Sequence, residues 1–126
     1  MNFLIPLSFL VIVFYACGGD YAPPEEMDQN GLNLKIRRAV QDNAAWARTP
    51  QSIVKELFPK RVRNYSNSVY SISEDRLSDN ALRIIISEEG DLDDEVSGER
   101  TVLDFHYIEG KWLIDEMSRS VKWSNR

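Results

Sequence analysis

Three side chains near the end of this 126-residue chain, Asp104, His106 and Asp115, have the types and the spacing that acid–base chemistry needs. The residues around them alternate in polarity along two predicted strands, which a tight turn at Glu109-Gly110 would join. In that hairpin Asp104 would face Asp115, and His106 would lie one step along on the same face. Two neighbouring carboxylates raise the pKa of one of them, so the pair could serve as acid and base.

The other face of the same hairpin is the one expected to be buried. It carries five large apolar side chains: Leu103, Phe105, Tyr107, Trp112 and Ile114. Such a set buries well against a helix, and its cross-strand pairs support the register. The acid–base candidates would then face the solvent, where water or Arg119 screens their like charges. This exposure makes catalysis the minor alternative.

The composition excludes several kinds of site. Cys17 is the only cysteine and His106 the only histidine, so the chain can form no internal disulfide, no cysteine-based zinc site and no multi-histidine metal site. The sequence also has no nucleophile motif and no phosphate-binding loop, and we expect neither a metal nor another cofactor. A formal net charge of −5 argues against nucleic acid as a partner.

Residues 88–99 hold seven acids in twelve positions. The alternation of Asp91, Asp93 and Glu95 invites a calcium interpretation, but an EF-hand loop would need glycine where Val96 stands. We expect instead a soluble connection between strands, whose charge discourages aggregation. The same stretch supplies the candidates for contact with a protein partner: Asp91, Asp93, Asp94 and Glu95.

The first residues have the pattern of an export signal. The apolar run from Phe3 to Ala16 is too short for a comfortable transmembrane helix and is typical of a signal-peptide core. It ends at Ala16-Cys17-Gly18, and a small residue, a cysteine and a glycine in this order resemble a bacterial lipobox. That resemblance implies cleavage before Cys17, acylation of its thiol by chains such as palmitate, and membrane attachment through this lipid anchor.

Three segments follow from this assignment. Residues 1–17 are the lipoprotein signal peptide, residues 18–31 a flexible acidic tether, and residues 32–126 a single domain. Glycines, a proline pair and four acids would keep the tether solvated and hold the domain off the bilayer. Gly18 after the cysteine favours the outer membrane, facing the periplasm, over the inner membrane. The alternatives are ordinary secretion with a free thiol, or an uncleaved short anchor.

The first third of the domain is predicted to be helical and basic. Apolar residues recur at spacings of three and four over residues 32–47, which indicates one helix. A second helix should run from Pro50 to Phe58, with Thr49 as its N-cap. The charges here are interpreted as a solvated helical face, and the alternative is a surface for an anionic partner. The basic residues concerned are Lys35, Arg37, Arg38 and those within residues 60–63.

Beyond residue 64 the pattern changes to strands, predicted over residues 69–77, 81–87 and the two arms of the hairpin; Trp123 is expected to cover the core. The stretches YSISEDRLSDNALRIIISEEGD and ERTVLDFHYIEGKWLIDEM resemble the sheet half of NTF2-like (cystatin-like) domains, in which a G-K-W-x-I hairpin closes the sheet of small envelope lipoproteins. The resemblance covers roughly residues 65–117. It implies an α+β fold with one or two N-terminal helices packed on a four-stranded antiparallel sheet.

These observations lead to one functional hypothesis and two alternatives. The leading hypothesis is a lipid-anchored, non-catalytic envelope protein whose α+β domain binds a protein or a ligand. The first alternative is a small-ligand-binding or enzymatic NTF2-like domain that uses Asp104, His106 and Asp115. The second is an immunity or inhibitor protein that binds its partner through the acidic residues 88–99.

Overall fold

Antiparallel strands form a single sheet, and helices pack on one of its faces. The computed structural model describes residues 21–59, 68–90 and 96–123. The predicted signal peptide with Cys17, the basic residues 60–63 and the acids Asp91, Asp93, Asp94 and Glu95 lie outside the described residues. The elements within those ranges are β1 (Glu25–Glu26), α1 (Asn30–Gln41), a 3₁₀ turn (Ala45–Ala47), α2 (Pro50–Leu57), β2 (Val69–Ser78), β3 (Ala81–Glu89), β4 (Val96–Ile108) and β5 (Lys111–Trp123).

The strands of the described part are ordered β1-β5-β4-β3-β2 across the sheet, and every neighbouring pair is antiparallel. The predicted α+β class with helices on an antiparallel sheet is therefore confirmed. The predicted number of four strands is wrong, because the short strand β1 adds a fifth along the outer edge of β5. Glu25 pairs there with Arg119, and Glu26 pairs with Ser118.

Local sequence chemistry sets the ends of the helices. Thr49 caps α2 as predicted: its side chain accepts a hydrogen bond from the backbone N–H of Ser52 at 3.1 Å, and Pro50 occupies the first turn. Helix α1 ends at Gln41, earlier than the predicted residue 47. Asn43 adopts a left-handed backbone (φ 57°) there, and the N–H of the next residue, Ala44, bonds the carbonyl of Ala39, which terminates the helix.

The core lies between the helices and the middle of the sheet. Phe105, Leu103 and Ile84 are at most 1 % exposed and face Ile36 of α1 and Ile53 of α2 within one cluster. The other members of this cluster come from α2, β3 and β5: Val54, Leu82, Ile86, Leu113, Ile114 and Met117. Trp123 does not belong to it; 56 % of this residue is exposed, so the expectation that it covers the core is wrong.

Residues 21–29, which we call the N-terminal strap, lie along the outer edge of β5. Tyr21 forms an isolated bridge with Lys122, the N–H of Ala22 donates to Val121 at 2.8 Å, and the N–H of Met27 donates to Met117 at 2.8 Å. This part of the expected flexible tether is therefore part of the folded domain. The physical reason is that an edge strand offers a row of backbone donors and acceptors, and the strap provides partners for them.

The opposite edge of the sheet differs. Strand β2 pairs with β3 on one side, and no strand of the described ranges pairs with its other side. Residues 71–78 are exposed throughout, including Ile72 and Leu77. The sheet thus has one edge closed by the strap and one edge without a described partner.

Candidate functional site

The β4–β5 hairpin positions the predicted acid–base residues, and its turn forms as the sequence indicates. Glu109 (φ 53°) and Gly110 (φ 80°) both have left-handed backbones, as a two-residue type I′ turn requires. Ile108 pairs with Lys111, as predicted. The predicted pairs Tyr107–Trp112 and Phe105–Ile114 also form, and the rings of the former have their centroids 5.1 Å apart.

Beyond these pairs the predicted register is wrong. Asp104 pairs with Glu116, because a β-bulge leaves Asp115 without a partner in β4. The bulge turns the carbonyls of two successive residues toward the outer edge of β5. Asn33 donates to the carbonyl of Ile114, and Gln29 donates to the carbonyl of Asp115, both at 2.8 Å. The bulge in β5 therefore lies where side chains of the strap and of α1 donate hydrogen bonds to its backbone.

Asp104 is held in an ion pair with Arg83 of the neighbouring strand β3. Nε and Nη2 of Arg83 donate to the two carboxylate oxygens of Asp104 at 2.7 and 3.1 Å, in the bidentate arrangement typical of strong arginine–carboxylate pairs. The hydrogen bond with Asp104 is the largest cause that raises the pKa of Arg83 above its ordinary value. The carboxylate of Asp104, which would have to act as the base or the acid in catalysis, is therefore engaged by the guanidinium group of Arg83.

The three predicted residues do not form one constellation. Asp104 and Asp115 both line a shallow groove of about 440 Å³ on the sheet face that is turned away from the helices, together with Glu26 of the strap. His106 is exposed, pairs with Leu113 and Ala81, and does not line that groove. The groove therefore holds several carboxylates and one arginine, and the histidine of the proposed acid–base set lies outside it.

A second concavity, the helix-side cleft, lies on the other face of the sheet, where α2 ends. It has a volume of about 200 Å³ and an apolar floor with polar groups at one side. Its lining residues are Leu57, Phe58, Pro59, Tyr70, Ile86, Glu88, Glu99 and Thr101. The cleft continues the core along β3 and β4 into the part of the sheet that the two described helices do not cover.

The polar groups of the helix-side cleft are ordered by specific contacts. Glu88 is 7 % exposed and lies directly opposite Glu99, whose carboxylate accepts a hydrogen bond from Arg119 at 2.6 Å. The hydroxyl of Tyr70 donates to the carbonyl of Phe58 at 3.2 Å. Burial, and then the negative charge of Glu88, raise the pKa of Tyr70 above its usual 10.0.

This cleft combines carboxylates, a phenol and a hydroxyl over an apolar floor, which suits a small ligand or a partner side chain with hydrogen-bond donors. Sequence analysis missed it, although one signal was present. Leu82, Ile84 and Ile86 alternate along the buried face of β3, and the next position of that alternation is Glu88. An acid in register with three core residues indicates a polar group at the border of the core.

None of the helices within 21–59 is long and apolar enough to cross a membrane. In the same described ranges, no three His, Cys, Asp or Glu side chains are grouped so that they could hold a metal ion.

Comparison with known proteins gave no match: no protein-family model, no curated protein and no solved structure is significantly similar to this chain.

Proposed function

We propose that this chain is a lipid-anchored, non-catalytic protein of the bacterial cell envelope, whose α+β domain binds a protein or a ligand. In this proposal Cys17 carries the acyl chains, and the protein faces the periplasm from the outer membrane. The anchor rests on the apolar run that ends at Ala16-Cys17-Gly18. The order of two helices followed by an antiparallel sheet is in keeping with an NTF2-like or cystatin-like relative, which we include in the proposal.

The observation that carries the binding role is the helix-side cleft. It lies where α2 ends, next to a part of the sheet that the described helices do not cover, and it combines an apolar floor with Glu88, Glu99 and Tyr70. Concave sites with a few convergent polar groups are where small ligands and partner side chains bind. We do not extend the proposal to catalysis by the predicted acid–base set, because Asp104 is paired with Arg83 and His106 lies outside the groove.

The anchor is tested by metabolic labelling with an alkyne analogue of palmitate, followed by fractionation and intact mass spectrometry. The label and the membrane association should be present in the wild type and absent in Cys17→Ser. A mature protein that keeps Met1, or that has an unmodified thiol at Cys17, would overturn this part of the proposal.

The binding role is tested by crosslinking in intact cells, affinity capture and mass spectrometry. Thr101→Arg would fill the helix-side cleft and should abolish capture of a stoichiometric partner. Ser73→Arg is the matched control, since it places the same side chain on the exposed strand β2. Equal capture by both variants, or no partner above background together with no hit in a ligand screen, would contradict a binding site in this cleft.

A further inference from the structure

The start of the N-terminal strap is fixed to the domain by Tyr21. This residue bridges Lys122 on β5, and its hydroxyl donates to Oε1 of Glu89 on β3 at 2.8 Å, so its side chain crosses the sheet face beyond β4. The guanidinium carbon of Arg100 lies 4.2 Å from the centroid of its ring. Gly98 leaves room for the ring, because a Cβ atom at that position would lie 2.9 Å from the Tyr21 hydroxyl. The strap is therefore docked on the sheet from Tyr21 onward.

This position limits how far the domain can be from the membrane. Only three residues, 18–20, separate Tyr21 from Cys17. Four Cα-to-Cα steps span at most about 14 Å even when fully extended. The headgroup region of one leaflet is about 5–8 Å thick. If Cys17 is acylated, as the proposed function states, the end of the sheet that carries Tyr21 lies at the headgroups.

The same end of the sheet exposes an aromatic side chain. Trp123 follows Lys122, the bridge partner of Tyr21, and it is 56 % exposed. Tryptophan is enriched at the boundary between lipid and water, where its ring and its N–H group are both accommodated. Of the charged groups that face Tyr21, Arg100 and Lys122 are cationic and Glu89 is anionic. Among the described residues, this end therefore has an exposed aromatic side chain and charges of both signs; the acidic residues 91–95 between β3 and β4 lie outside the described ranges.

We propose that this end of the domain, formed by the docked Tyr21 and by Trp123, rests on the phospholipid bilayer that holds the lipid anchor. The strap fixes the orientation of the domain on the bilayer, since it leaves only residues 18–20 between the anchor and the sheet, where a free tether would have residues 18–31. The hairpin turn at the other end of β5 then points away from the membrane. This inference rests on the acylation of Cys17 and adds the contact surface and the orientation.

The test is depth-dependent quenching of tryptophan fluorescence. The acylated full-length mature protein is reconstituted into phosphatidylcholine vesicles that contain lipids with a quencher either near the headgroup or at the bilayer centre. The headgroup quencher should reduce the emission more than the central one, and this difference should be lost in Trp123→Phe. The other two tryptophans, Trp46 and Trp112, remain in Trp123→Phe and give the background emission. Eleven residues of β5 place Trp112 about 36 Å from Trp123.

An insertion of about twenty glycine and serine residues between Asp20 and Tyr21 separates the strap from the anchor and leaves the contacts of the strap with β5 in place. This variant should still float with the vesicles but lose the quenching of Trp123, since the domain is no longer held within the reach of residues 18–20. The same insertion appended after Arg126 is the matched control and should keep the quenching. Circular dichroism of both variants verifies that they are folded.

The possible failures of the two proposals give different results. Protein that floats with the vesicles while Trp123 remains unquenched overturns the orientation and leaves the lipid anchor intact. Quenching that is equal in wild type and in the folded variant with the insertion before Tyr21 likewise overturns the role of the strap. Protein that does not float overturns the anchor, and the inferred orientation fails with it.

Discussion

The carboxamide of Asn33 forms two hydrogen bonds to the backbone of Ile114. Its Nδ2 donates to the Ile114 carbonyl at 2.8 Å, and its Oδ1 accepts from the Ile114 N–H at 2.8 Å. Both groups lie in a buried region, and Asn33 is 9 % exposed. A side chain of α1 thus bonds β5 in the way that a neighbouring strand would, at the place where the strap turns into the helix.

The first prediction concerns this contact. Asn33→Leu keeps the volume but leaves a buried N–H and a buried C=O without partners, so we expect the free energy of unfolding to fall by about 2–4 kcal/mol. Urea unfolding followed by tryptophan fluorescence measures this. Gln41→Leu makes the same chemical change at an exposed position of the same helix and should stay within about 0.5 kcal/mol of the wild type. Equal effects of the two substitutions would refute the role of Asn33.

The second prediction concerns Gly98. In Gly98→Ala the new Cβ would lie 2.9 Å from the Tyr21 hydroxyl and 3.1 Å from the Cβ of Lys122, so the Tyr21 side chain must shift and its hold on the strap weakens. We expect the N–H groups of Ala22 and Met27 to exchange with deuterium about tenfold faster, which corresponds to about 1.4 kcal/mol of local stability. Gly31→Ala meets nothing within 4 Å and should leave this exchange slow. Unchanged protection in Gly98→Ala would mean that Tyr21 does not need this space.

The third prediction is a pH dependence. The pKa of Tyr70 is higher in the folded chain than its ordinary 10.0, so the folded state binds this proton more tightly than the unfolded state. Its stabilising contribution is full below pH 10.0 and is lost as the pH rises through the raised pKa. Titration of tyrosinate absorbance should show a late component, that is, one tyrosine that loses its proton at a higher pH than the others. This component should be missing in Tyr70→Phe.

The causes of that pKa shift can be separated. In Glu88→Gln the late component should move to lower pH without reaching the ordinary value, because burial, the larger cause, remains. Tyr107→Phe removes an exposed tyrosine and should leave the late component in place. A late component that disappears in Tyr107→Phe instead would show that the assignment to Tyr70 is wrong.

The fourth prediction concerns the Arg83–Asp104 pair. The Arg83 side chain is 41 % exposed and that of Asp104 is 19 % exposed, so water competes for both partners. A double-mutant cycle with Arg83→Met and Asp104→Asn should give a coupling of about 0.5–1 kcal/mol. The more distant pair Lys111–Glu109, at 3.9 Å, is the control and should give a coupling near zero. A coupling of several kcal/mol would indicate a buried pair, which this geometry is not.

Sequence reasoning succeeded where a structure depends on neighbouring residues. Gly110 readily adopts the left-handed backbone of the hairpin turn, and Thr49 with Pro50 fixes the start of α2 through contacts within four residues. Alternation of apolar residues was sufficient to identify the buried face of β3 and, at Leu103 and Phe105, that of β4. These features could be predicted because the residues that cause them are close together in the chain. The expectation that Tyr107 is buried with Leu103 and Phe105 is wrong, since 42 % of this residue is exposed near the hairpin turn.

Sequence reasoning failed where the structure depends on contacts between segments that are far apart in the chain. The bulge at Asp115 is accompanied by hydrogen bonds from Gln29 and Asn33, which are more than eighty residues away in sequence. Likewise, Glu25 and Glu26 have no strand propensity of their own, and they pair because β5 offers a free edge. The predicted Asp104–Asp115 pair depended on a regular hairpin, so it was lost with the bulge.

The unequal edges of the sheet set a limit on polymerisation. An open edge accepts another strand, and a protein with two open edges can add copies without end, as amyloid does. Here the strap occupies one edge, and the outer edge of β2 has no strand partner among the described residues. Two copies joined through β2 would present only strap-covered edges, so growth would stop at the dimer. Loss of the strap would remove that stop, and a single hydroxyl–carboxylate bond, from Tyr21 to Glu89, is one of the contacts that maintain it.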